Sequence, residues 1–325
     1  MAAVLVTGAA GFVMANLARH LAARGHDVVA ADLNPPDAPL RRFVDGLPGT
    51  VSFRHVDVMD RAAVLALVRA TRPACVVHGA AITAIPPDVE QARFVETAAV
   101  NIAGTLHVLA ALADAGVGRV VAVSSGSVYG RRQDLVPISE DDTKDPQALY
   151  PMTKWAGDML ARRFAQVRGL DLAVARLASP FGAFERDTGS RPLLSPMAYW
   201  ATSAVKGEPI VVTGDATYAR DIVYVGDVAD AIAAILLADR LPHDAYNIGW
   251  GHGTSAQEAL AALGRICPGI EVEWRPDQPS PWLGPGNLAR GPLRCDRLRQ
   301  DLGWQPRHDL ASGLAEYVEW LRRHP

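Results

Sequence analysis

The chain has 325 residues, 49% of them hydrophobic and 21% charged, and its 32 basic against 35 acidic side chains leave a net charge of −3. A chain of this length supports one large domain or two that share a core, and buries on the order of 75% of its unfolded surface without help from disulfides. The near balance of charge excludes a polyanion-binding surface as the main function, so no nucleic-acid partner is expected.

Short apolar runs alternate with helical stretches through the first half. Val4–Val6 predicts a strand and Gly11–Arg24 an amphipathic helix. Val28–Ala31 predicts the second strand, Asn34–Pro48 a proline-rich loop, and Val51–His55 the third strand. Asp60 caps a helix ending near Thr71, and Cys75–Val77 is the fourth strand. A long helix spans Phe94–Ala115, followed by a strand at Val120–Val123, a helix at Met152–Arg168 and a strand at Leu172–Arg176. The strands are continuously apolar, as strands covered on both faces must be. The strand–helix repeat predicts an α/β fold: a Rossmann-type, doubly wound parallel sheet. After Leu177 the segments shorten, and six of the seven tryptophans follow Tyr199. The expected division is 1–178 as the nucleotide-binding domain and 179–325 as a smaller substrate lobe, with crossover segments such as the buried helix Val228–Ala238 returning to the first part.

Cys75, Cys267 and Cys295 are odd in number, far apart and form no C-x-x-C pair, so a reducing, cytoplasmic setting is expected. No run of about 18 apolar residues predicts a membrane span. The apolar start Met1–Val13 lacks a basic flank and is interrupted by Gly8 and Gly11, which reads as a first buried strand rather than a signal segment. No His/Cys/Asp cluster has metal-ligand spacing.

The first strand runs into Thr7-Gly8-Ala9-Ala10-Gly11-Phe12-Val13-Met14. A glycine-rich turn opening a helix offers bare N–H groups and the positive end of the helix dipole to a pyrophosphate. Met14 stands where a third glycine would allow close helix–strand packing. Asp32 ends the second strand about 20 residues after the glycines, where a carboxylate accepts both adenosine ribose hydroxyls. It would repel a 2′-phosphate, and Leu33 and Asn34 supply no cation, so NAD is expected over NADP. Asp57-Val58, after the third strand, are candidates for the adenine edge. Tyr150 and Lys154, four apart, share one helix face. A lysine ammonium and a cationic nicotinamide ring favour the phenolate and so make tyrosine a usable base. Ser124, Ser125 and Ser127 follow the fifth strand, at the carboxyl end that lines the ligand crevice of a parallel sheet.

Together with Val77-His78-Gly79-Ala80-Ala81, Asn101 with Gly104-Thr105, Arg220–Val228, Tyr246–Gly249 and Asp301–Pro306, these motifs resemble the extended short-chain dehydrogenases/reductases, the NAD-dependent epimerase/dehydratase group, over nearly the whole chain. The resemblance implies Tyr150 as general base and acid, Lys154 as its tuner and ribose anchor, and Ser125 as hydrogen-bond partner of the reacting oxygen. It places Gly8, Gly11, Phe12, Val13, Asp32, Asp57, Val58, Ala80, Ala81 and Asn101 with Tyr150 and Lys154 around NAD, Asn101 in a structural or water-binding role. It also implies a homodimer through the helices Phe94–Ala115 and Met152–Arg168.

Departures from the pattern narrow the chemistry. Dehydratases of the group carry Thr-Asp-Glu at the serine site, where this chain has Gly126 and Ser127, and decarboxylases place a glutamate at the position of Ser127. Epimerases have an asparagine where Ser179 stands and an Arg-Pro-Gly-Asp diphosphate clamp, whereas Pro281–Gly286 carries no arginine. The substrate candidates are Thr83, Ser125, Ser127, Ser179, Arg186 and Arg191 in the loop 185–191, and Arg220, whose guanidinium forks suit a carboxylate or phosphate. Arg290, Arg294, Arg297 and Arg299 read as an exposed helix face, and His78 as core. The expected function is oxidation of a secondary hydroxyl on a sugar or sugar-like substrate by an NAD-dependent epimerase. The alternatives are an NAD-dependent dehydrogenase of a smaller polyol, sugar or hydroxy acid without a nucleotide handle and, in another class, a non-catalytic NAD-binding sensor or scaffold.

Overall fold

The computed structural model describes residues 3–83, 86–132, 135–189, 191, 193–280 and 290–324. Residue 190 of the loop 185–191 and the stretch Pro281–Gly286, singled out in the sequence, lie outside the described residues.

The first half unrolls as Val4–Thr7 (β1), Phe12–Ala23 (α1), Val28–Asp32 (β2), Ala38–Phe43 (α2), Val51–His55 (β3), Arg61–Thr71 (α3) and Cys75–His78 (β4). Then come Pro87–Ala92 (α4), Phe94–Ala98 (α5), a π-helical turn over Ala99–Gly104, Thr105–Ala115 (α6), Arg119–Ser125 (β5), a 3₁₀ turn over Gly126–Tyr129, Leu149–Arg168 (α7) and Asp171–Leu177 (β6). The second half gives Ser179–Phe181 (β7), Pro196–Lys206 (α8), Ile210–Thr213 (β8), Ala219–Tyr224 (β9), Val225–Leu237 (α9), Ala245–Ile248 (β10), Gly253–Ser255 (β11), Ala256–Ile266 (α10), Val272–Arg275 (β12), Asp296–Leu302 (α11) and Leu310–Arg323 (α12).

Seven strands form one parallel sheet in the order β3-β2-β1-β4-β5-β6-β10. Successive side chains of a strand point to opposite faces, so a continuous apolar run buries both. Val4, Val6, Ala30 and Val77 join one core with Leu17 and Leu21 of α1 and Ile232 and Ile235 of α9. Leu5, Val29, Val76 and Val120 join the opposite core with Val64 and Val68 of α3 and Val108 and Leu112 of α6. Each fully buried valine or leucine contributes about 1.5–3 kcal/mol. The order reverses between β1 and β4, which opens a crevice at their carboxyl ends. The later strands form a three-stranded sheet, β11-β9-β7, and a two-stranded one, β12-β8.

Two elements depart from the sequence expectation. The proline-rich loop contains a short helix, α2, because Asp37 caps it by accepting from Leu40 N at 2.9 Å and Pro39 stands in its first turn. The long helix is interrupted by the π turn, where one extra residue is accommodated. Among the described residues Phe94–Ala115 is the one helix long and apolar enough to cross a membrane, and its Val108, Leu109, Ala111 and Leu112 are core residues here.

Candidate functional site

The crevice between β1 and β4 continues into a cleft of about 250 Å³. Its floor is the glycine turn. Gly8 has φ +73°, and a side chain there would meet Ala80 N at 2.6 Å, so the β1 turn sits directly on the segment after β4. Gly11 starts α1 with no side-chain cap, which leaves first-turn N–H groups aimed at the cleft. Met14 fills the position of the absent third glycine, and room for it comes from across the gap: a Cβ on Gly79 would lie 2.4 Å from Met14 Cγ. Asp32 takes one N–H on each oxygen, from Ala10 and Asn34, both at 2.9 Å. A carboxylate has about four acceptor sites, so capacity remains for two ribose hydroxyls. Ser124 Oγ is buried at the cleft wall with no hydrogen-bond partner among the described residues. The uncapped helix start, the close-packed glycine and this orphan hydroxyl fit a dinucleotide.

At the middle of the cleft α7 brings in Tyr150 and Lys154. Ala148 gives α7 no side-chain cap, and Glu90 of α4 substitutes, accepting from Leu149 N at 3.2 Å. Asn101, in the π turn, clamps the same region. Its Oδ1 accepts from Ile82 N at 2.8 Å and its Nδ2 donates to Thr153 Oγ1 at 2.9 Å, while Thr153 donates to Tyr150 O at 2.9 Å. Ser127 donates to Ser125 Oγ at 2.9 Å, and the Ser125 hydroxyl is hydrogen-bonded to Tyr150. Burial pushes the Tyr150 phenol up from its usual range, opposed by the Arg191 charge and the Ser125 hydrogen bond. Burial pulls Lys154 down to about 8, opposed by Asp158 one turn further along α7. Asp158 is in turn held by Arg176 of β6 through Nε–Oδ2 at 2.8 Å and Nη2–Oδ1 at 3.3 Å, a pair almost fully buried. Removing either partner of such a pair costs about 3–5 kcal/mol.

The far end is cationic. Arg220 of β9 and Arg290 line the cleft together, and burial followed by the Arg220 charge lowers Arg290 to about 10. An anion between two such guanidiniums relieves both penalties. Arg290 therefore does not sit on the exposed helix face expected from sequence: that helix, α11, begins at Asp296. Asp221 fixes the neighbouring chain. It accepts from Leu293 N at 2.9 Å, Trp250 N at 2.8 Å and Gly251 N at 3.2 Å, and burial raises it to about 6 despite those donors.

The cleft gathers Gly8, Gly11, Phe12, Val13, Ala81, Thr83, Ser125, Ser127, Tyr150, Lys154, Ser179, Arg191 and Arg220 from the sequence candidates. Asp32, Asp57, Val58, Ala80, Asn101 and Arg186 lie outside its lining. Asp57 accepts from Met59 N at 2.8 Å, and Val58 is buried. Arg186 is turned away, paired with Asp37 and stacked over Phe184. His78 is held between Thr7 and Thr105, and burial lowers it to about 3, so it stays neutral in the core. Glu90 and Arg290 were missed by the sequence reading. Among the described residues no three His, Cys, Asp or Glu side chains form a metal-binding cluster.

Residues 4–249 match the profile of the NAD dependent epimerase/dehydratase family. A UDP-glucose 4-epimerase of Mycolicibacterium smegmatis is 32% identical over 321 residues, covering 98% of each chain. The crystal structure of a UDP-glucose 4-epimerase from Thermus thermophilus in complex with NAD superposes with a TM-score of 0.82 at 28% identity, covering 98% of both chains. That of a UDP-glucose 4-epimerase from Thermotoga maritima with UDP-glucose gives 0.85 at 26% identity, covering 99% of both.

Proposed function

The chain belongs to the NAD-dependent epimerase/dehydratase family, and on that premise we propose that it is an NAD-dependent epimerase of a nucleotide sugar, with Tyr150 as base and acid and Arg220 with Arg290 on the diphosphate. The observation that carries this reading is one cleft lined by three stations: the glycine turn, the Ser125–Tyr150–Lys154 group and the guanidinium pair. Asp32 on the adenosine ribose and the α1 N-terminus on the pyrophosphate would hold NAD, and bound NAD supplies a hydride acceptor that becomes a donor for the return step. Tyr150 takes the proton of the sugar hydroxyl as the carbon is oxidised, and gives it back to the carbonyl oxygen on the way out. Ser125, itself backed by Ser127, holds that oxygen. Lys154 favours the phenolate and anchors the nicotinamide ribose. Thr83, Ser127 and Ser179 are hydroxyl partners for the sugar along the wall.

The same active site would serve a dehydrogenase, and the second half-reaction separates them. Incubation with UDP- and dTDP-hexoses and free sugar acids is read by chromatography and by NADH absorbance. An epimer without net NADH supports the proposal. Stoichiometric NADH with released ketone or lactone refutes it in favour of the dehydrogenase. Residues 1–178 are read as the cofactor lobe and 179–325 as the substrate lobe. A homodimer is proposed through the α5–α7 face, supported by outward Phe94, Val95, Met159 and Val167, of which Val95 is 79% exposed; a monomer mass by light scattering refutes it. A cytoplasmic setting is proposed on the three free thiols.

A further inference from the structure

Arg191, Leu193, Leu194 and Ser195 line the cleft with Tyr150, and with Glu185 they hold a charge arrangement that the proposed mechanism does not use. The Glu185 side chain is 0% exposed, whereas that of its ion-pair partner Arg191 is 24% exposed. A carboxylate taken from water needs its acceptors filled. Ser195 N and Ser195 Oγ each donate to it at 2.7 Å, and Arg191 Nη2 donates at 2.6 Å. Ser195 also caps α8, accepting from Ala198 N at 3.2 Å, so Glu185 ties Arg191 to a fixed helix start. Arg191 spends one arm of its fork on Glu185. Its guanidinium carbon lies 5.3 Å from the centre of the Phe12 ring, at the opening of α1, and the residue lines the cleft with Ser125, Tyr150 and Lys154.

The charged groups that line the cleft with Tyr150 are Glu90, Lys154, Arg191, Arg220 and Arg290. The helix of Tyr150 itself brings Lys154, with Asp158 beyond. Strand β5 and its turn bring the hydroxyls of Ser124, Ser125 and Ser127, and α1 brings the uncharged Phe12. Helix α4 brings Glu90, which is committed to Leu149 N. Arg191 comes with its ion-pair partner Glu185. We propose that Arg191 is a positioning residue for proton transfer: held by Glu185 on the wall of the cleft that it lines with Tyr150 and Lys154, it stabilises the Tyr150 phenolate, so that the strength of the base depends on how Glu185 seats Arg191. The opposition of its charge to the rise that burial imposes on Tyr150 is in accord with this placement. The inference rests on Tyr150 being the base.

The test needs no sugar. The full-length, NAD-loaded protein is titrated through the alkaline range, and the tyrosinate absorbance of the Tyr150→Phe counterpart is subtracted, which isolates residue 150. Arg191→Met should move the midpoint upward by about one pH unit, the scale for losing a nearby opposite charge. Arg191→Lys should restore most of the shift. NAD content and thermal midpoint, measured in parallel, report a merely structural role. An Arg191→Met midpoint that coincides with wild type overturns the proposal while leaving Tyr150 as base. Absence of any residue-150 titration overturns both. Unmoved titration with weakened binding of UDP-glucuronate relative to UDP-glucose also overturns it, making Arg191 a substrate ligand.

Discussion

The two ends of the cleft are built in opposite ways. The glycine-turn end comes from neighbouring strands, β1, β2 and β4, whose carboxyl ends are brought together by the sheet itself. Its contacts are backbone against backbone, as where Gly8 meets the chain at Ala80. The cationic end comes from Arg220 on β9 and from Arg290, 70 positions later, beside Asp221, which gathers the N–H groups of Leu293, Trp250 and Gly251. The first end is a property of the fold, and the second is a property of a few side chains. A substitution at the first should therefore alter packing and cofactor choice, while one at the second should alter substrate alone. Tyr150 and Lys154 stand between, on a helix that both ends share.

That contrast yields graded expectations. Tyr150→Phe removes the proton acceptor shared by both ends and should lower turnover by about 10²-fold or more, with NAD retained and the fold intact. Turnover at wild-type level would dissolve the middle station. Arg290→Met should weaken a nucleotide sugar by roughly 10- to 30-fold, the loss of one charge-assisted contact of about 1.5–2 kcal/mol, without changing NAD affinity. Calorimetry that shows both ligands weakened would mean the two ends are not independent. NAD should bind at least about tenfold more tightly than NADP, about 1.4 kcal/mol, and Asp32→Ser should narrow the gap. Equal affinities in the wild type would remove the role given to Asp32.

A further expectation, on stability and not on either ligand, is the pH dependence of the NAD-free protein. Burial holds Lys154 near 8 against 10.5 for the ordinary side chain, so between these values the unfolded chain binds more protons than the folded one. Stability should accordingly gain a contribution as pH rises from about 8 to 10.5, within the limit of about 1.4 kcal/mol per pH unit set by one proton. Denaturant titrations of wild type and Lys154→Met check it: equal slopes in that window would remove Lys154 as the source.

The sequence exposes the two ends unequally for the same reason. Strands such as Val4–Thr7 and Cys75–His78 are legible because burial on both faces demands an unbroken apolar run, and Asp60 is legible as a cap because it precedes its helix directly. Asp37 carried the same signal for α2, obscured by the surrounding prolines. Glu90 and Arg290 had no local signal. Glu90 caps a helix that begins 59 positions later, and Arg290 sits among other arginines whose ordinary place is solvent. The partnership of Arg186 with Asp37, 149 positions apart, is equally invisible from its own neighbourhood. What the chain hides is contact between segments that share neither a strand nor a helical face.

The π turn at Ala99–Gly104 sets a rotational phase. One residue inserted into an α-helix advances everything beyond it by about 100° around the axis. The outward faces of Phe94 and Val95 and the core face of Val108, Leu109 and Leu112 are thus correctly aimed only while that extra residue is present. Deleting a single position between 99 and 104 would leave both helical pieces intact in length and composition, yet turn the apolar surface proposed for the partner subunit by more than a quarter of a revolution away from α7, and carry Asn101 off the Ile82 backbone with it. In this helix the count of residues, as much as their identity, is under constraint.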